Sequence, residues 1–194
     1  SGRVSILFPM ISSLTELKRC RKIVDAARLS VAREGNGLPD IKMGAMVELQ
    51  SIICQIPELL QQVDFIALGT NDLVQYCLAI SRLGEKSCDR SCYLHEGFLS
   101  LLQYVAEECQ KAKKPCIVCG ELVTNVRMRF LLLGLGFTSF AMPLGQIVDA
   151  KEVFSHLDVQ EAKNEVQKLF ALHSVQERFQ SLGEWEERWC TTKK

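Results

Sequence analysis

The 194-residue chain has no apolar run approaching the ~20 residues that a bilayer-spanning helix needs, the longest stretches, such as Phe130 to Leu135, being far shorter. Its amino terminus has no basic-then-apolar leader, so the expected location is the cytoplasm. Neither sign of charge is in excess, with 23 basic side chains against 23 acidic ones and a pI near 6.8. Without a broad positive field, neither a nucleic-acid backbone nor an anionic membrane is an expected partner. The nine cysteines do not make an even set. Most sit inside apolar runs, where reduced cysteine behaves as a small hydrophobe, so free thiols are expected instead of a disulfide framework. What is present is a globular composition, 47% apolar, of a length that suits one domain.

Short, nearly continuous apolar runs recur at Val4 to Met10, Ile41 to Val47, Phe65 to Leu68, Cys116 to Cys119 and Phe140 to Met142. Strands covered on both faces read this way, whereas half-exposed strands alternate with polar residues. Between the first two runs, Ser13 and Glu16 form a capping box ahead of Leu14, Leu17, Ile23, Val24, Ala27 and Val31, and Gly35 follows as a stop. Further helical patterns run from about Ser51 to Gln62, Asp72 to Ile80, Phe98 to Ala112 and Asn125 to Leu133. In the fourth of these five helices Phe98, Leu101, Leu102, Val105 and Cys109 share a face. Gly84 to Glu96 is polar and rich in turn formers, and is expected to be a loop at the functional end. The chain becomes helical and charged after Asp149, with Phe179, Leu182, Trp185 and Trp189 spaced as on a helix that docks on the body. Strands alternating with helices imply an α/β fold with one parallel sheet.

Each of three strand runs ends in residues that can do chemistry: Glu48, then Asn71 and Asp72, then Cys119 and Glu121. Loops leaving parallel strands converge at that end, in a β/α barrel and in an open doubly wound sheet alike. A carboxylate at the end of a buried strand costs several kcal/mol unless a cation meets it, so Glu48 implies a metal ion or an ion pair. Asp72 could cap the helix that Thr70 to Asp72 opens. Together with Glu48 it would supply a second hard oxygen for Mg²⁺. Cys116 and Cys119 form a C-x-x-C, with Cys88 and Cys92 upstream, which raises a zinc site. Zinc ligation wants a turn, however, and residues three apart on a strand face opposite sides. Cys119 alone, beside Glu121, is a candidate general acid.

The runs Met46-Val47-Glu48, Leu68-Gly69-Thr70-Asn71-Asp72-Leu73-Val74-Gln75-Tyr76 and Cys119-Gly120-Glu121 resemble the signatures of the phosphoenolpyruvate (PEP)-utilising enzymes, with enzyme I of the sugar phosphotransferase system nearest. The resemblance covers about Val4 to Ile147. It implies the last five β/α units of a TIM (β/α)8 barrel over residues 1–157, followed by a helical tail over 158–194. It also implies Glu48 and Asp72 as Mg²⁺ ligands, Asn71 and Arg82 as substrate-binding residues, and Cys119 as the proton donor to the pyruvate enolate. The implied activity is phosphoryl transfer from PEP to a histidine on another domain or carrier protein. His95, His156 and His173 lie in none of the glycine- and threonine-rich contexts expected of that acceptor. The chain departs from the family at Leu49-Gln50, where threonine and proline are usual, at Ser81, in the Ser91 to Glu96 stretch, and at Ala141-Met142-Pro143. It is therefore expected to be an incomplete catalyst alone, and to self-associate through open sheet edges, as a homodimer for example. The competing functions are a regulatory or assembly domain that kept the fold, and a metal-dependent lyase or aldolase barrel.

Overall fold

The computed structural model describes residues 4–34, 41–80 and 90–192. Five strands, β1 (Ser5–Phe8), β2 (Lys42–Val47), β3 (Phe65–Gly69), β4 (Cys116–Cys119) and β5 (Ser139–Phe140), form one parallel sheet in the order β1-β2-β3-β4-β5. Every strand pairs with its neighbour in the chain. The order never reverses, so the sheet has none of the switch points that mark a doubly wound fold. The five expected apolar runs are these strands, with one shift at the last. Ala141 still donates to the Val118 carbonyl at 2.9 Å, but Pro143 has no N–H with which to extend the ladder.

The helices follow the strands as the periodicity implies: α1 (Leu14–Arg33), α2 (Gln50–Ile53), α3 (Ile56–Gln62), α4 (Thr70–Leu78), α5 (Glu96–Ala112), α6 (Val126–Gly134), α7 (Ile147–His156), α8 (Val159–Phe170) and α9 (Val175–Thr192). The helix expected over Ser51 to Gln62 is two helices, because Pro57 near the start of α3 cannot donate to a preceding turn. At the start of α1 the Ser13 hydroxyl accepts from the Glu16 N–H, while the Glu16 carboxylate reaches back to Ser12. The apolar face expected along α1 is buried only at Leu17, and Ile23 is 70% exposed. β1 is the edge of the sheet, so little lies beneath the far turns of α1. Of the loop expected over Gly84 to Glu96, residues 84–89 lie outside the described residues, and Arg90–Leu94 forms a 3-10 turn leading into α5.

Register divides the sheet into two unlike faces. Ala45, Val47, Ile66, Leu68, Cys116 and Val118 point to one side and join the main core with the helices. Leu7, Gly44, Met46, Phe65, Ala67 and Ile117 point to the other side. That second face borders an open cavity of about 560 Å³ at the amino end of the strands, lined by Leu7, Lys42, Asp64, Phe65 and Ile117 among others. The last helices dock on the body as their spacing implies, with Leu182 and Trp185 fully buried. Trp185 and Trp189 pack on Phe130 of α6. Buried Arg178 ties α9 down by donating to the carbonyls of Leu94, Leu169 and Leu172. Among the described residues, no helix is long and apolar enough to cross a membrane.

Candidate functional site

Glu48 follows β2 directly and is 4% exposed. Its Oε1 accepts a hydrogen bond from the Met10 backbone N–H at 2.6 Å. Met10 leaves β1 in a left-handed conformation, with φ of 54°, which costs a non-glycine residue about 1 kcal/mol. The other carboxylate oxygen lies over Gly69 at the end of β3, where an added Cβ would come within 2.8 Å of Oε2 and 3.0 Å of the Glu48 Cβ. Gly69 is thus the residue that gives the carboxylate its room. Among the described residues Glu48 has no cationic partner, so the ion-pair reading of the sequence is not realised there. A buried carboxylate held by one N–H remains undercompensated, an environment that suits a cation.

Thr70, Asn71 and Asp72 open α4, but the residue at the cap position is Gly69, which has no side chain to cap with. Thr70, fully buried, donates instead to the Cys119 carbonyl at 2.8 Å. Asn71 Oδ1 accepts from the Glu121 N–H at 2.7 Å. Both bonds run from the exit of β3 to the exit of β4, and they leave the N–H donors of the Asn71 amide for another partner. Gly120 makes the close approach possible. Its φ is 111°, and a Cβ there would meet Thr70 Oγ1 at 2.5 Å and Asn71 Oδ1 at 2.7 Å. Asp72 sits in the first turn of α4, where the helix dipole favours negative charge.

Cys119 ends β4 in register with Gly69. Its Sγ donates to the Leu68 carbonyl at 3.4 Å. Burial first, then the negative charges of Glu48 and Asp72, push the thiol above its ordinary pKa. The thiol feels both carboxylates, so Glu48, Asp72 and Cys119 occupy one end of the sheet, with Asn71 beside them. A thiol held protonated in such surroundings is a poor nucleophile. Arg82 lies outside the described residues.

Strand alternation sends Cys116 to the opposite face, where it neighbours Cys109 of α5 and lines the same cavity. The C-x-x-C therefore does not converge on one ion. Among the described residues no group of three or more His, Cys, Asp or Glu side chains is arranged to hold a metal. Free thiols are found at Cys20, Cys54, Cys77, Cys109, Cys116, Cys119 and Cys190. The expectation of reduced cysteines fails at Cys92, which is disulfide-bonded. Cys92 lies in the polar 3-10 turn before α5, outside the apolar runs on which that expectation rested. Met10 and Thr70 were not singled out from sequence. The sole signal for Thr70 was its place next to Asn71, and a backbone donor such as Met10 gives none.

Residues 1–159 match the family model described as PEP-utilising enzyme, PEP-binding domain. A protein of the PEP-dependent phosphotransferase system from Salmonella typhimurium is 31% identical over 164 residues, covering 84% of this chain. PEP-protein phosphotransferases from Cupriavidus necator and Bacillus subtilis are 33% and 32% identical, over 80% and 91% of the chain. The chain spans 22%, 27% and 31% of the lengths of these three proteins. Among solved structures, a citrate lyase from Burkholderia xenovorans superposes with a TM-score of 0.60 at 14% identity, covering 95% of this chain and 64% of that one. RipC from Yersinia pestis superposes with a TM-score of 0.54 at 12% identity, covering 82% and 67%. At such identities the likeness is one of fold alone.

Proposed function

The chain belongs to the PEP-utilising enzymes by its PEP-binding domain, and from that premise we propose that it is the PEP- and Mg²⁺-binding portion of a PEP-protein phosphotransferase. The observation that carries this reading is the buried Glu48 carboxylate, which has no cationic partner among the described residues and lies over Gly69, close to the Cys119 thiol whose pKa it helps to raise. Mg²⁺, held by Glu48 and Asp72, would draw negative charge off the phosphate and enolate oxygens and take its remaining ligands from substrate and water. Asn71 would donate its amide N–H groups to the phosphate, its oxygen being occupied by Glu121. Arg82 is assigned to the substrate on family resemblance. Once the phosphoryl group has left for a histidine on another domain or carrier protein, the enolate carbon takes the Cys119 proton, and pyruvate leaves. The thiolate then regains a proton from water. Parking that proton on the Leu68 carbonyl keeps the donor fixed until the carbanionic carbon arrives.

We further infer that the five strands are part of a β/α barrel. The unbroken strand order and the sparsely covered second sheet face with its 560 Å³ cavity support this. Alone, the chain would bind PEP but not turn it over, and its edge strands β1 and β5 would favour self-association. Calorimetric titration with PEP, with and without Mg²⁺, tests the binding, alongside pyruvate release, protein phosphorylation and mass in solution. PEP should bind only with Mg²⁺, Glu48→Gln and Asp72→Asn should abolish binding, and pyruvate should not be released at a useful rate. Mg²⁺-independent binding that survives both substitutions would overturn the site. Rapid pyruvate release with a stable phosphohistidine on this chain would overturn the incomplete-catalyst reading, and a strictly monomeric mass would remove the self-association.

A further inference from the structure

Far from Cys119, at the amino end of β4, two thiols meet. Cys116 opens β4 on the core-facing side, in register with Ile66, and Cys109 lies on the buried face of the last turns of α5. The turn between them reverses tightly. Lys113 adopts a left-handed φ of 53°, and the Lys114 N–H closes on the Cys109 carbonyl at 3.0 Å. The reversal sets the two cysteines beside each other on one cavity. Both line a cavity of about 360 Å³ whose walls also carry Gln110, Lys113 and Lys114. Cys109 is 4% exposed and Cys116 is half-buried, so the cavity is the route by which a small solute reaches them.

We propose that Cys109 and Cys116 form an oxidisable dithiol, a modification site at which a hydroperoxide cross-links α5 to β4 through an intramolecular disulfide. The neighbouring Cys109 and burial hold the Cys116 thiol well above its ordinary pKa. With Cys109 as the attacking thiolate, Cys116 keeps its proton until the second step, and the bonds balance equally with the roles exchanged. In the first step the Cys109 thiolate attacks one peroxide oxygen. An S–O bond forms, the O–O bond breaks, and the departing hydroxide takes a proton to become water. In the second step the Cys116 sulfur attacks the Cys109 sulfenic acid, the S–S bond forms, and the S–O bond breaks. The Cys116 proton leaves with the hydroxyl as a second water. Two thiols lose two electrons and two protons, and one peroxide is reduced to two waters. The cross-link requires the two sulfurs to close to the ~2.05 Å of a disulfide.

The test uses the full chain, dilute, treated with stoichiometric hydrogen peroxide, alkylated and mapped by non-reducing tryptic mass spectrometry, with exposed Cys54 and Cys190 as internal references. The expected product is a linked pair of peptides, lighter by two hydrogens than their sum, that appears before Cys54 and Cys190 are half-oxidised and disappears with dithiothreitol. The peptide carrying Cys116 also carries Cys119, and the peptide carrying Cys109 also carries the disulfide-bonded Cys92, so Cys119→Ser and Cys92→Ser are run in parallel and must keep the new cross-link, whereas Cys116→Ser and Cys109→Ser must lose it. Cys109 that is still alkylatable when Cys54 and Cys190 are oxidised would overturn the proposal, as would a cross-link lost in Cys119→Ser and kept in Cys116→Ser.

Discussion

At the carboxyl end of β4, Cys119 donates to a backbone carbonyl and lies under the charge of Glu48 and Asp72. At the amino end, Cys116 neighbours Cys109 among apolar side chains. The residue type and the strand are the same, and alternation alone sends the two side chains to opposite faces. The first environment holds a thiol protonated, as the proposed proton donor requires, and the second sets two thiols on one cavity, as the proposed dithiol requires. The two ends also differ in how they are held. Hydrogen bonds that cross from β3 to β4, together with Gly69 and Gly120, fix the carboxyl end. The amino end has ties of its own, the Asp64 carboxylate accepting from the Met43 N–H at 2.8 Å and the Lys114 ammonium donating to the Val63 carbonyl at 2.8 Å, but it borders open cavities.

If the close glycine contacts make the carboxyl end the less tolerant one, the largest effect should come from Gly120→Val. That substitution places a branched side chain at φ of 111° against Thr70 and Asn71, and should destabilise by about 3 kcal/mol or more. Cys116→Ala at the other end should cost about 1 kcal/mol. Urea midpoints compare the two directly, and equal losses would break the contrast. Next in size, Thr70→Val leaves the part-buried Cys119 carbonyl without its donor, and should cost about 1 kcal/mol. In a longer enzyme carrying this segment, Thr70→Val should also slow pyruvate formation, by shifting Cys119.

The strands were legible in the sequence because each is a nearly continuous apolar run, and the end of each run marked Glu48, Asn71, Asp72 and Cys119 as candidates. The structure brings those four residues to one end of the sheet. What could not be read is contact through space. The left-handed turn at Met10 that aims an N–H at Glu48 is encoded by no residue preference. The use of Thr70 and Asn71 to bind the β4 exit, instead of capping their own helix, depends on which strand lies alongside. The exposure of α1 likewise follows from the edge position of β1, which periodicity along one segment does not reveal.

A smaller effect concerns the Cys119 proton. With its pKa raised, alkylation by iodoacetamide should rise only on the alkaline side of the ordinary thiol range, and Glu48→Gln should move the profile part of the way back by removing one of the repelling charges. The sign for stability follows. The protonated thiol's contribution is complete below the ordinary thiol pKa and is lost as pH rises through the raised one. Cys119→Ala should therefore flatten the alkaline fall in stability, and an unchanged slope would remove the shift.

The most direct test of the claim that Glu48 is held ready for a cation is the thermal midpoint of Glu48→Gln with and without Mg²⁺ and PEP. Without metal, neutralising a buried, undercompensated carboxylate should stabilise the chain by about 1–3 kcal/mol. With Mg²⁺ and PEP, the unsubstituted chain should gain stability by mass action, and Glu48→Gln should gain none. A Glu48→Gln chain that is less stable without metal, and that still responds to Mg²⁺ and PEP as the unsubstituted chain does, would contradict the account.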